Sequence, residues 1–277
     1  MFYKHIQQLP DKRFKRATGV PKEILRQMSE VVTAYKTTHR KHPTRGKPPK
    51  LSWEDKILLL LMYYREYRTM EHIGIAYGIS ESRVCEIIQE IESILISDKR
   101  FHLPGKKKLL QAENNWEVVL IDVTETPIER PKPKQRRYYS GKKKKHTLKT
   151  QVVSERKTRR ILCTTQTEGR RHDFRLFKQS RVLVHPALKA QTTDTGYQSI
   201  QQLHPNSELP KKRSKKNLLI KADKKNNQVI SFSRVLIENL IRTLKIFRIL
   251  AEKYRNRRRR FLLRFNLIAV LYNLSIQ

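Results

Sequence analysis

The spacing of apolar residues changes along the chain, and each change marks an element. From Pro21 to Lys36, Ile24, Met28, Val31 and Tyr35 recur on one helical face, with Pro21 suited to a first helical position. Ser52 opens another helix with Asp55 three residues on, a capping-box variant; Ile57 to Met62, followed by Tyr63 and Tyr64, is too apolar for a surface helix. A helix from Met70 to Tyr77 stops at Gly78, and Ser80 caps a third whose buried face is Val84, Ile87, Ile88, Ile91 and Leu95. Helix, glycine turn, helix at this spacing predicts a helix-turn-helix. Its second helix carries Glu81, Glu86, Glu90 and Glu92 against only Arg83, an acidic surface to bring to phosphates. Its first residues, Ser80, Ser82 and Arg83, are nevertheless placed to reach base edges.

At Trp116 the pattern shifts. The run WEVVLIDVT, Trp116 to Thr124, has successive aliphatic residues without alternation, which predicts a strand covered on both faces that delivers Asp122 to its C-terminal edge. An ionisable group at such a place is costly unless it is solvated, paired or bound to metal. Strands are predicted over Thr147 to Val153 and Arg160 to Thr167, then a short helix from His172 to Lys178 and a β-prone segment, Gln191 to Thr193, leading into Asp194. Residues 204–228 are polar and lysine-rich, as in a mobile loop or insertion. Two helices close the chain, Ser233 to Ala251 and Phe261 to Ile276. Three strands, a helix, a fourth strand and a closing helix, with acids at the first strand, the fourth and the closing helix, is the layout of an RNase H-like α/β fold. The expected organisation is a helical lead-in (1–38), a basic linker (39–50), an all-helical helix-turn-helix module (51–104) and an RNase H-like catalytic domain (105–277).

Charge then narrows the partner. Of 277 residues, 61 are Lys or Arg against 25 Asp or Glu, a formal net charge of +36 that points to a polyanion, nucleic acid first. The longest apolar runs, Ile57 to Met62 and Leu267 to Leu271, fall short of the roughly 20 residues of a membrane span. No signal peptide precedes them, so a soluble intracellular protein is expected. Cys85 and Cys163 lack a C-x-x-C partner, so both are expected as buried small hydrophobes and any metal must be held by oxygen. The linker HRKHPTRGKPPK is semi-rigid and basic, and Arg45-Gly46-Lys47-Pro48 is similar to short cationic minor-groove hooks. In QRRYYSGKKKKH, Arg136, Arg137, Lys142 and Lys144 supply phosphate attraction while Tyr138 and Tyr139 offer faces for an unpaired base. Arg257 to Arg260 form a further phosphate-contacting tract.

Several stretches together carry a family resemblance: GKPPKLSWEDKILLLLMYYREYRT with GISESRV, IDVTETPIERPKPKQRRYYSGKKKKHTLKTQ, GRRHDFRLF, DTGYQ, and SRVLIENLIRTLKIFRIL with YRNRRRRF. Over nearly its whole length the chain resembles the DDE transposases of bacterial insertion sequences, in the insertion-sequence-five-like branch related to Harbinger elements. The resemblance implies a catalytic triad of Asp122, Asp194 and Glu238, with Arg234 and Lys245 flanking Glu238 in an R-x-x-x-E-x-x-x-x-x-x-K signature and able to clamp a phosphate. It also marks His172 and Asp173 as accessory candidates, although an Asx cap on the following helix accounts for Asp173 equally well. Glu125 reads as a solvated strand-end acid. The sequence departs from the family pattern at Ser231 and Ser199, neither of which touches the triad. Such a triad holds two Mg²⁺ (or Mn²⁺) ions through hard oxygen ligands, and the cations relieve the repulsion among the acids. The implied protein is a bacterial, cytoplasmic, nucleoid-associated DNA transposase that cleaves element ends and transfers strands. Its expected partner is double-stranded DNA, without a membrane, and it acts as a homodimer or higher assembly. Two other classes compete: a catalytically silent, domesticated DNA-binding relative, and an RNA-binding protein drawn in by charge alone.

Overall fold

The computed structural model describes residues 2–39, 49–111, 116–192, 195–197, 199–211 and 220–276. In chain order the helices and strands are α1 (Phe2–Gln7), α2 (Asp11–Thr18), α3 (Lys22–Thr38), α4 (Trp53–Glu66), α5 (Met70–Tyr77), α6 (Glu81–Ser97), β1 (Val118–Pro127), α7 (Gln135–Tyr138), β2 (Tyr139–Ser140), β3 (Lys145–Glu155), β4 (Ile161–Glu168), α8 (Asp173–Ser180), β5 (Lys189–Thr192), β6 (Ser207–Glu208), α9 (Lys221–Leu244), α10 (Arg248–Ala251) and α11 (Phe261–Ser275). They form two compact units. One comprises Met1–His102, Lys245–Glu252 and Leu263–Gln277, the other Leu103–Leu244 and Lys253–Leu262.

In the first unit α4 is surrounded, which explains its weak amphipathicity: α1, α2, α3, α5, α6 and α10 all pack on it, and Ile57 to Leu61, Tyr63 and Tyr64 are buried. The helix starts obey local chemistry. Ser52, Thr69 and Ser80 each accept a hydrogen bond from the backbone N–H three residues on, at Asp55, His72 and Arg83, contacts worth about 1 kcal/mol apiece. Between α5 and α6, Gly78 takes a left-handed conformation (φ 61°) that costs glycine nothing. The single lead-in helix expected from sequence is α3; α1 and α2 precede it. They escaped notice because α1 buries no residue and α2 buries only Phe14 and Thr18, too little for a readable period.

The second unit is built on a mixed sheet. β3 lies between β1 and β4, with both pairings antiparallel, while β1, β5 and β6 run parallel; the short β2 pairs with the start of β3. This order, with helices added, is that of an RNase H-like domain. One sheet face holds a core of Val119, Ile121, Val153, Leu162, Phe177 and Tyr197. α9 packs along β1 and β5. Two expectations change here. The stretch 204–228, read as a loop, contains β6, which pairs with β5, and the start of α9. The closing helix read as Ser233 to Ala251 instead begins at Lys221 and ends at Leu244. Its first turns are polar and mostly exposed, so the apolar stripe that starts at Ile230 understates its length, and Phe247 breaks it by turning into an extended conformation with its ring buried.

Among the described residues no helix is long and apolar enough to cross a membrane. The two cysteines differ. Burial pushes the Cys163 thiol up to about 12, whereas Cys85, expected to be buried, is half-exposed on α6 because the helix turns it away from the Val84 and Ile88 face. A thiol reagent is therefore expected to label one cysteine per native chain and two after denaturation. Labelling of both in the native protein would contradict the packing around β4.

Candidate active site

Asp122 lies at the middle of β1, five residues before its end, and not at the C-terminal edge expected from sequence. The strand continues because Val123 to Pro127 keep pairing with β3, from Gln151 to Thr147. Among the described residues the β1–β5 pairing runs from Val118 opposite Lys189 to Ile121 opposite Thr192, so Asp122 directly follows the last described pair. It is half-buried. By strand alternation it shares a face with Leu120, Thr124 and Thr126, opposite the face of Val119 and Ile121 that carries the Phe177 and Tyr197 core.

β5 leads directly to Asp194, which lies outside the described residues, as does Arg45 of the linker. Beyond Asp194 the chain is anchored at Tyr197, whose ring is buried edge-on against Phe177, centroids 6.3 Å apart. Gly196 sits beside His172 and Asp173 at the start of α8, so the GRRHDFRLF and DTGYQ stretches meet. Asp173 is no Asx cap. The N-cap of α8 is His172, without a side-chain cap bond, and the Asp173 carboxylate accepts from Lys149 Nζ at 2.7 Å. Lys149 also donates to the Arg171 carbonyl oxygen at 2.8 Å and lies opposite Glu125 in the ladder. Glu125 is half-buried and accepts from the Thr147 hydroxyl at 2.8 Å. Alternation places Glu125 and Lys149 on the sheet face opposite Asp122, so this network fixes α8 to the central strands. Sequence reading missed Lys149; the signal was a lysine in phase with Gln151 and Val153 on the inward side of a strand.

Glu238 stands on α9 next to the buried Ile237. Its carboxylate is about half-exposed and accepts from Arg234 Nε at 2.7 Å, an i,i+4 pair. Arg234 thus neutralises Glu238 in this structure, through a surface contact worth only about 0.3–0.5 kcal/mol and easily exchanged. α9 ends at Leu244, so Lys245 is in the turn after it. Among the described residues no three His, Cys, Asp or Glu side chains converge into a metal-binding group.

The basic tracts are sorted by their partners. Glu168, at the end of β4, engages Arg137 and Arg171, at 2.5 and 3.2 Å. Burial opposes its ionisation, but its own backbone N–H, the Thr167 hydroxyl and the two guanidinium groups hold its carboxyl below the usual range. The Arg258 guanidinium lies 4.4 Å over the Tyr138 ring, covering one of the two aromatic faces expected to stack a base, while Tyr139 is exposed. Lys142 and Lys144 lie in the exposed β2–β3 turn.

Comparison with known proteins accords with this arrangement. Residues 121–273 match the DDE superfamily endonuclease family, and residues 49–98 match the helix-turn-helix of DDE superfamily endonuclease. The chain is 47% identical, over 97% of its length and 96% of the relative's, to the probable transposase for insertion sequence element IS702 of Microchaete diplosiphon. The chain belongs to the DDE superfamily of insertion-sequence transposases. No solved structure matches it.

In this transposase the second helix of the helix-turn-helix, α6, is less acidic at its surface than its sequence implies. Glu92 is fully buried, accepting from Arg264 Nε at 2.6 Å and from the Tyr64 hydroxyl at 2.9 Å. Glu90 is paired with Lys36 and lies 3.7 Å from Lys56, and Glu86 is paired with Arg83. Glu81, in the first turn, is where a carboxylate suits the helix dipole. Of the residues expected to face bases, Ser82 and Arg83 are exposed, while the Ser80 hydroxyl is occupied as the cap. Arg264 went unread in the sequence, although a lone arginine inside the apolar run FLLRFNLIAVLYNL is itself a sign of a buried carboxylate partner.

Proposed function

We propose that the transposase hydrolyses a DNA strand at the ends of its element and joins the freed 3′ hydroxyl to target DNA, with Asp122, Asp194 and Glu238 as its catalytic acids. The observation that carries this reading is the position of Asp122: a half-buried carboxylate in mid-strand, next to the pair Ile121–Thr192, with Asp194 two residues after Thr192 in the sequence. α9, bearing Glu238, packs on the same two strands. The donors fit a hard cation. They are carboxylate oxygens, the ligands that suit Mg²⁺ or Mn²⁺. Two Mg²⁺ or Mn²⁺ ions bound there supply the Lewis acidity that activates the attacking oxygen and stabilises the leaving one.

The chain's own residues then have separable tasks. Asp122, fixed by its ladder to β3, would hold one side of the site rigidly, and Glu238 on α9 would supply the third carboxylate ligand. Arg234, beside Glu238, would meet a DNA phosphate at the site. Water attack frees a 3′ hydroxyl at the element end; that oxygen attacks a target phosphodiester and displaces the target's 3′ oxygen, so one bond forms as one breaks. Lys142, Lys144, Arg136 and Arg137 attract the backbone without reading sequence, and Ser82 and Arg83 of α6 read bases. The helical module, the linker with Arg45 and the catalytic domain act together on double-stranded DNA, as a dimer or higher assembly holding two ends.

The test is cleavage of duplexes carrying the inverted repeats that flank the gene. With Mg²⁺ the protein is expected to nick them and leave 3′ hydroxyl ends that join a second duplex, and EDTA is expected to stop both steps. Cutting that persists in EDTA, or binding without any cutting in Mg²⁺ and Mn²⁺, would overturn the proposal.

A further inference from the structure

A cleft of 780 Å³ opens beside the β2–β3 hairpin, bordered by Arg130, Gln135, Arg136, Tyr139, His146 and Arg170. Its size is within the about 300–1,000 Å³ typical of small-ligand sites. None of its described lining residues is acidic. The pairing of charges around it is selective. Glu168 takes Arg137 and Arg171, while Arg136 and Arg170, the neighbours of those two, are exposed and make no side-chain hydrogen bond or ion pair with any described residue. Arg130 is held by Gln135 at 2.8 Å, an uncharged partner that leaves its cation uncompensated.

The cleft is built into the backbone. Arg170 N–H donates to the Arg137 carbonyl oxygen at 3.1 Å, which brings the end of β4 against α7. That approach needs Gly169, because a Cβ there would sit 2.7 Å from the Tyr138 carbonyl oxygen and 2.8 Å from that of Thr147. Tyr139 and His146 are paired across the hairpin with their rings edge to face, centroids 5.6 Å apart, and Tyr139 is 42% exposed. An exposed tyrosine steadied by a histidine and surrounded by three guanidinium groups presents a stacking face and phosphate donors in one place.

We propose that this cleft binds one unpaired nucleotide of the DNA, its base stacked on Tyr139 and its flanking phosphates met by Arg136 and Arg170. The inference rests on the reading of the chain as a DNA-cleaving transposase, and it assigns the stacking role to Tyr139, since Arg258 already covers Tyr138. Position supports it. Strand alternation along β3 puts His146 on the sheet face of Val152, the residue opposite Asp122, six residues away, or about 20 Å at roughly 3.4 Å per residue. A DNA strand rises about 3.4 Å per nucleotide, so the cleft takes a nucleotide about six positions from the phosphate cut at Asp122.

The experiment compares two duplexes of one sequence, one fully paired and one with a single unpaired adenine, by fluorescence anisotropy at fixed salt without divalent metal. The wild-type protein is expected to bind the bulged duplex about 5- to 100-fold more tightly. Tyr139→Ala is expected to bring the ratio of the two affinities near one, and Tyr139→Phe to keep it, because the ring is what stacks. The double variant Arg136→Ala with Arg170→Ala is expected to lower the salt slope by about two. A wild-type ratio of one, or a preference that survives Tyr139→Ala, overturns the stacking site; an unchanged slope overturns the phosphate contacts. Binding is read without metal, so these results are separate from the cleavage reading, which fails only if Mg²⁺-dependent nicking is absent.

Discussion

Asp122→Asn is expected to abolish metal-dependent nicking while leaving salt-dependent DNA binding intact. The substitution is nearly isosteric and sits in a strand paired with β3 on both sides of Asp122, so the ladder holds the position whatever the side chain. What it removes is a negative charge and, in the proposed site, an anionic oxygen ligand. Loss of an outer-shell partner already costs a metal site about 10–100-fold, so loss of a direct ligand is expected to cost at least about a hundredfold. Binding depends on a different quantity, the excess of 61 basic over 25 acidic side chains, which one carboxylate barely changes. Plasmid nicking and gel shift on the same preparation measure the two effects. Nicking by the variant at the wild-type rate would remove Asp122 from the site.

The largest stability effect is expected within the helical unit, at Glu92 and Arg264. Both are nearly inaccessible, at 0% and 3% exposure, and their ion pair is completed by the Tyr64 hydroxyl. Glu92→Gln alone leaves a buried guanidinium without its counter-charge and is expected to destabilise the helical unit by about 3–5 kcal/mol. Glu92→Leu combined with Arg264→Met, which removes both charges and keeps apolar volume, is expected to recover most of that loss. Urea unfolding monitored by the helix signal measures it. The contrast is Arg234→Ala, whose exposed pair with Glu238 is worth less than about 0.5 kcal/mol. Equal losses for the two single variants would show that the Glu92 pair is solvated.

Where apolar periodicity was strong, the sequence was legible to within a few residues. The caps at Ser52 and Ser80, the turn at Gly78 and the aliphatic run before Asp122 each arise from local physics that the tertiary structure does not override. Failures came where local pattern and long-range pairing diverge. The strand around Asp122 runs on because β3 offers partners through Pro127, which no property of residues 123–127 announces. α9 starts early because solvent-facing turns carry no apolar signal, and it ends early because Phe247 is buried. Charges were hardest of all: Glu92 read as a surface acid is fully buried, and Arg234 read as a phosphate clamp is bonded to the acid it was expected to assist. Composition cannot show which of many cations an acid will take.

The most direct measurement is nicking of element-end duplex in Mg²⁺ by Asp122→Asn, Asp194→Asn and Glu238→Gln side by side, each at a protein concentration that saturates DNA binding. All three are expected to fall to background together, because the proposed site requires all three carboxylates. Wild-type nicking by Glu238→Gln, with the other two inactive, would contradict the assignment of α9 as the source of the third acid.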